Sequence, residues 1–206
     1  MKQIVTIDLN FMMAPSWSFY GDKIREFSII EDSVPENNFL RFAPMDVELF
    51  AKVVSELILP NADKVHFLKG QEDVLHFLKG KKDKTIINID YNSDIEPYEL
   101  DTVLSNLNWI SYGLDKNIID KVIWIHPNNS NLDVQQYKDK IDTSICLNNA
   151  ILTNLKPDEI YIAVAREWIL PQYQELIGML ECIVQAFVKD RLIIEEEYPQ
   201  DRLISK

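Results

Sequence analysis

Three short oxygen-bearing side chains stand at alternate positions where an apolar run stops. In TIINIDYNSD, residues 85–94, Asp90, Asn92 and Asp94 follow Ile86, Ile87 and Ile89. A buried strand has a side-chain period of two, so this spacing predicts that all three project the same way at the strand's C-terminal end. A second apolar run, QIVTIDLN at 3–10, ends the same way with Asp8 and Asn10. In open α/β sheets that end of the strands is where ligands bind. Three carboxylates and two carboxamides are therefore expected to meet at one sheet edge. Two unit charges about 5 Å apart repel by roughly 3 kcal/mol at an effective dielectric of 20. Such a cluster must take up a proton, a basic side chain or a cation. An all-oxygen set favours a hard ion. The expectation is no cofactor, or one weakly bound divalent cation (Mg, Ca or Mn) on Asp8, Asp90 and Asp94.

Two further residues fall near that edge. His126 ends the apolar run KVIWIH before Pro127, and Arg166 follows the run EIYIAVA at 159–165, where its guanidinium would neutralise leftover carboxylates. His66 and His76 lie within apolar segments, where a histidine is more often packed than ligating. Cys146 and Cys182 have no adjacent base that would make a nucleophile, and are expected to be small buried hydrophobes. Trp17, Trp109, Trp124 and Trp168 are expected in the core. A helix-loop-helix calcium loop starting at Asp90 would need Gly and Glu where Ile95 and Asp101 stand. A strand-end Asp nucleophile at Asp8 would want a second acid where Asn10 stands. Neither a Ser-His-Asp set, a phosphate loop nor a dinucleotide fingerprint is present.

The elements that must position these residues alternate in type. Strands are expected over 3–11, 65–68, 85–90, 121–126, 144–147 and 159–165. Helices are expected over 46–59, 71–78 and 171–189, a weaker helix or turn over 98–108, and mixed helical character over 132–141. In the last long helix Leu176, Ile177, Leu180, Ile183, Val184, Phe187 and Val188 mark the apolar positions. Residues 12–44, with several prolines and aromatics, read as a long irregular loop that follows Asp8 and Asn10 and is placed to cover the edge. This alternation predicts a single α/β domain spanning 1–206, a three-layer αβα sandwich with a mostly parallel sheet.

Bulk properties narrow the function classes. The chain has 206 residues, 47% of them hydrophobic and 26% charged, as in a folded protein with a substantial core. Its net charge of −12 carries no basic stripe, which argues against nucleic acid and anionic membrane as partners. No run is long enough to span a bilayer. The two cysteines lack CxxC spacing and the N-terminus runs directly into a strand, so a cytoplasmic protein is expected.

The strand-end motifs Asp90-x-Asn92-x-Asp94 and Asp8-x-Asn10 resemble the metal-binding motifs of the arginase/deacetylase superfamily. There one strand ends in Asp-x-His-x-Asp, another in Asp-x-Asp, and a separate His completes a two-manganese site. The likeness is to an arginase-like branch that includes peptide arginases, and extends to Gly70-Gln71-Glu72-Asp73-Val74-Leu75, Asn108-Trp109 and Trp124-Ile125-His126-Pro127. The order of the motifs is permuted relative to arginase itself. By this resemblance Gln71, Asn92 and Asn10 stand where the family has His, His and Asp, while Asp8, Asp90 and Asp94 match ligands. The implied function is a non-catalytic pseudoenzyme, binding or regulatory, with a protein, peptide or small-molecule ligand. The alternative it implies is a metal-dependent hydrolase of a guanidino or amide group, using an atypical single-ion site.

Overall fold

The computed structural model describes residues 2–12, 47–90, 92–95, 104–105, 108–127, 139–164 and 171–188. Arg166, Trp17, Trp168, the expected 12–44 loop beyond residue 12, and most of 98–108 and 132–141 lie outside them.

Six strands, each rich in Ile, Val or Thr, form one sheet: β1 (Lys2–Asp8), β2 (Val65–Phe67), β3 (Lys84–Ile89), β4 (Lys121–His126), β5 (Thr143–Cys146) and β6 (Glu159–Ala163). Their order is β2-β6-β1-β3-β4-β5, and every pairing is parallel. A parallel sheet must be covered on both faces, which is why β3 is buried at all six positions. Ile4 pairs with Ile86 and Thr6 with Asn88, so β1 and β3 run side by side to their C-terminal ends.

Two cores lie on opposite faces of the sheet. Val5, Ile7, Ile87, Ile89, Ile160 and Ile162 pack against α1 (Val47–Val53), its widened continuation through Ile58, and α4 (Pro171–Phe187). Ile4, Ile86, Val122, Trp124 and Tyr161 pack against α2 (Val74–Leu78) and α3 (Trp109–Asp115). The result is the expected α/β sandwich. Each fully buried aliphatic side chain contributes about 1.5–3 kcal/mol. Among the described residues no helix is long and apolar enough to cross a membrane.

Several expectations need correction. The first strand stops at Asp8, whose last partner is Ala163; Leu9–Met12 coil into a 3-10 turn because no neighbouring strand continues the ladder. Asn10 therefore does not extend the face of Asp8. Residues 109–115, for which no element is expected from sequence, form a helix. Its apolar stripe is invisible in sequence because its first five positions are all buried. Of the seven apolar positions expected in the last helix, Ile177 and Val184 in α4 and Val188 just past its end are buried, with Leu180 partly so, while Leu176, Ile183 and Phe187 face solvent. Cys182 is exposed and Cys146 half-buried, so neither is the buried hydrophobe expected. His66 stacks on Tyr161 and His76 is exposed.

Gly113 shows how closely α3 sits on its neighbours. A Cβ there would lie 2.5 Å from Ile119 Cδ1, 2.8 Å from Ile119 Cγ1 and 3.0 Å from Leu75 Cδ2. Alanine normally favours a helix over glycine by about 1 kcal/mol. Here overpacking outweighs it, and Gly113→Ala is expected to destabilise the protein by about 1–3 kcal/mol. Chemical denaturation checks the sign; a stabilised variant would mean that α3 stands off from Ile119.

Candidate functional site

The chain leaves β1 toward β2 on one side of the sheet, whereas β3 leads to β4 and β5 on the other. A crevice at the C-terminal ends of two adjacent strands with such diverging connections is where open α/β sheets hold ligands. Asp8 ends β1 and Asp90 follows β3, so register alone brings them side by side. Thr6, Asp8, Asn88 and Asp90 share parity and face the α2–α3 layer. Around them Gln71, Ser93, Asp94 and Asn108 are also at most 4% exposed. The apolar core of that layer thus gives way, at one end, to a buried polar cluster.

Asp94 does not reach the cluster by strand periodicity. The strand ends at Ile89, the chain turns at Asp90 and Asn92, and Asp94 adopts φ +55°. That left-handed conformation is tolerated by Asp and Asn better than by other residues with a side chain. The backbone N–H of Asn92 donates to Asp90 Oδ1 at 3.2 Å, closing the turn. The Ile110 N–H donates to the Asp94 carbonyl at 3.2 Å, which ties the turn to the start of α3. Asn92 thus serves the site through its main chain, its side chain being only half-buried.

The carboxylate of Asp94 is the hub. Its Oδ2 accepts from Trp109 Nε1 at 2.8 Å and from Asn88 Nδ2 at 3.2 Å. Asn88 Oδ1 in turn accepts from Thr6 Oγ1 at 2.7 Å. Gln71 sits between the two halves. In one orientation of its carboxamide, Nε2 donates to Asn88 Oδ1 at 2.8 Å. In the other, Nε2 donates to Asp94 Oδ2 at 3.1 Å and to Asp90 Oδ2 at 3.2 Å. Trp124 Nε1 donates to the Asp90 carbonyl at 3.0 Å, and the Asp90 N–H donates to the Ile125 carbonyl, so Asp90 is pinned through its backbone as well.

Each orientation of Gln71 leaves a close oxygen–oxygen pair among the described contacts. With Gln71 turned toward Asn88, its oxygen faces two carboxylate oxygens. With Gln71 reversed, its oxygen lies 2.8 Å from the Asn88 Oδ1 position, so Asn88 must reverse too and turn its own oxygen to Asp94. Either way one oxygen pair has no hydrogen between its members unless a carboxyl group is protonated. The electrostatics agree. Burial pushes the pKa of Asp94 up to about 8, against the lowering effect of hydrogen bonds with Asp90, Trp109 and Asn88, and the charge of Asp8 raises it further. Burial therefore favours the protonated form of Asp94 near neutral pH.

The structure therefore brings together Asp8, Asp90, Asp94 and Gln71, from three separate segments. It does not carry Asn10 on the strand, where periodicity puts it, and the side chains of Asn10 and Arg166 lie outside the described residues. His126 ends β4 with its ring tilted against Trp124 at 4.7 Å, and its Nδ1 lies 3.0 Å from the Pro127 carbonyl. Sequence reasoning missed Thr6, Asn88 and the indole of Trp109. Thr6 and Asn88 carried a usable signal, since both are polar residues two positions before a strand-end Asp. Trp109 carried none, because a buried indole N–H usually finds a partner but the sequence does not say which.

The donor set fits poorly to the two-manganese centre that the resemblance implies. A carboxamide replaces imidazole at Gln71, and the inward oxygen of Asp94 is occupied by protein N–H groups. Among the described residues, no three His, Cys, Asp or Glu side chains are grouped so as to hold a metal ion. The arrangement sets Asp94, whose protonated form burial favours near neutral pH, beside Asp8 and Asp90 at the C-terminal edge of a parallel sheet. Comparison of the chain with protein-family models, with curated proteins and with solved structures finds no match in any of the three.

Proposed function

We propose that the chain is a non-catalytic, arginase-like pseudoenzyme with a binding or regulatory role, in which a former metal site persists as a proton-sharing polar network. The observation that carries this reading is the carboxamide of Gln71. It stands within hydrogen-bonding distance of both Asp90 and Asp94, where a cation would have to sit. A binuclear hydrolase depends on two cations to lower the pKa of a bridging water. Here neutral amides supply the hydrogen-bond donors, and a proton supplies the charge. The ligand edge itself is retained, and a guanidinium or peptide amide group is the chemistry its carboxylates complement.

One observation favours the alternative, a metal-dependent hydrolase of a guanidino or amide group with a single hard ion. A carboxyl group held near pKa 8 beside two others is the electrostatic deficit that a bound cation would relieve. Calorimetric titration of chelator-treated protein with Mn²⁺, Mg²⁺ and Ca²⁺, paired with assays for urea, ornithine or amine release, separates the two. The pseudoenzyme reading expects at most one weakly bound ion and no turnover. Two tight manganese sites, or manganese-dependent product release, would overturn it.

A further inference from the structure

The last two strands of the sheet end together at its C-terminal edge. His126 closes β4, Cys146 closes β5, and the two are direct partners in the parallel register. Such partners project to the same face of a sheet, from backbones about 4.8 Å apart. The ladder is intact to this last pair, since the Leu147 N–H donates to the His126 carbonyl at 2.6 Å. No motif joins the imidazole to the thiol in sequence; register alone sets them side by side.

The imidazole is held in a form suited to a base. Its Nδ1 lies 3.0 Å from the Pro127 carbonyl, a group that can only accept, so Nδ1 carries the hydrogen and Nε2 keeps its lone pair. The tilted contact with Trp124, centroids 4.7 Å apart, fixes the ring. Both side chains are half-buried, open to a small reagent rather than a bulky one. Cys146 Sγ lies 3.8 Å from Asn148 Oδ1, a weak bond that a thiol gives up easily. The chain has one other cysteine, Cys182, exposed on α4. That helix packs on one face of the sheet, whereas Trp124, which shares the face of His126 and Cys146, packs with α2 and α3 on the other. The sheet therefore keeps the two thiols apart, and neither can resolve an adduct on the other.

We propose that Cys146 is a modification site for small disulfides, with His126 as its base. Nε2 accepts the thiol proton while Sγ attacks one sulfur of the disulfide. The new S–S bond forms as the old one breaks, and the leaving thiolate takes the proton from the imidazolium. Cys146 is oxidised, the reagent is reduced to one thiol, and the product is a mixed disulfide at the sheet edge. With no second thiol to displace it, that adduct is the end point of the reaction. The step draws neither on the carboxyl cluster nor on the function proposed for it.

The test is the rate at which each cysteine of the reduced full chain forms an adduct with 2-hydroxyethyl disulfide at pH 7, read by mass spectrometry of the derived peptides. This reagent is uncharged, so the chain's net charge of −12 favours neither site. Only a few per cent of an ordinary thiol is ionised at about pH 7, which leaves an adjacent base room to raise the rate about tenfold. Cys146 is therefore expected to react about tenfold faster than Cys182, although Cys182 is the more exposed. His126→Phe keeps a ring against Trp124 but removes the base, and is expected to slow Cys146 about tenfold while leaving Cys182 unchanged. His126→Asn, which loses the ring as well, is expected to slow Cys146 to the same extent. Reaction at Cys182 as fast as at Cys146 would overturn the proposal. A Cys146 rate unchanged in both His126 variants would overturn it too, since the thiol would then react without a base.

Discussion

Replacing Asp94 by asparagine is expected to remove a pH dependence of stability and to leave the protein more stable than the parent above about pH 8. The sign follows from the raised pKa. Asp94 titrates near its ordinary value of 3.8 in the unfolded chain and near 8 when folded. Between those values the folded state binds more protons than the unfolded one, so stability falls as pH rises. The contribution of the protonated carboxyl is complete below pH 3.8 and is lost as pH approaches and passes 8. A tenfold change in proton affinity is worth about 1.4 kcal/mol, so the parent and the variant are expected to diverge by several kcal/mol by pH 9.

Asparagine reproduces the protonated acid in shape and hydrogen bonding. Its oxygen can accept from Trp109 Nε1 and Asn88 Nδ2, its nitrogen can donate to Asp90, and it tolerates the φ of +55°. Alanine does none of this. Asp94→Ala orphans a buried indole N–H and a buried amide, at about 1–3 kcal/mol each, and adds a left-handed backbone cost of about 1–2 kcal/mol. Urea denaturation of the parent and both variants at pH 5, 7 and 9 measures this. Parallel curves for parent and Asp94→Asn would show that Asp94 is ionised throughout and that the proton resides elsewhere. Glu159 acts in the opposite sense: burial raises its pKa, but hydrogen bonds from Lys81 and Tyr161 outweigh that and hold it low. Its contribution is present above its unfolded value of 4.5 and is lost as pH falls, so the acid limb of both curves is expected to persist.

The parts of this site that can be read from sequence are those set by strand periodicity. Asp8 and Asp90 each close an apolar, β-branched run, and parallel register brings such ends together without further information. For Asp94 periodicity names the right edge for the wrong reason. Beyond a strand end, spacing no longer fixes direction, and the turn at Asp90–Asp94 achieves by a positive φ what a strand would achieve by alternation. Asn10 shows the same failure of periodicity, because the sheet ends one residue after Ile7 and the chain coils. Gln71 is separated from Asp90 by a helix, a turn and a strand, and its proximity comes from how the segment leading into α2 packs on the sheet; only the family resemblance suggests it. Helix α3 is hidden because burial at its first five positions erases the amphipathic signal. The exposed residues of α4 mislead for the converse reason: Leu176, Ile183 and Phe187 fit a helical spacing, yet the sheet face they would cover is filled by α1 and by Ile177, Val184 and Val188.

Gln71→Glu is expected to turn a self-sufficient network into a cation-dependent one. Gln71 is 2% exposed, and its carboxamide lies 3.1 Å from Asp94 Oδ2 and 3.2 Å from Asp90 Oδ2. A carboxylate in that place brings a further negative charge into contact with Asp90 and with Asp94, whose protonated form burial favours at neutral pH. At about 4 Å and an effective dielectric of 20 a pair of like charges repels by roughly 4 kcal/mol, so the variant must bind a second proton, bind a cation or unfold. In chelator at pH 7 a loss of about 3–5 kcal/mol is expected. It should be recovered partly at pH 5 and largely by millimolar Ca²⁺ or Mn²⁺, since an ion present at 100 times its Kd adds about 2.7 kcal/mol. Gln71→Leu separates charge from the loss of the amide: it removes the donor without adding an anion, and is expected to cost about 1–3 kcal/mol with no response to cations. If Gln71→Glu were as stable as the parent in chelator at neutral pH, the carboxamide would not be standing in for a positive charge, and the reading of this edge as a metal site converted to hydrogen bonds would fail with it.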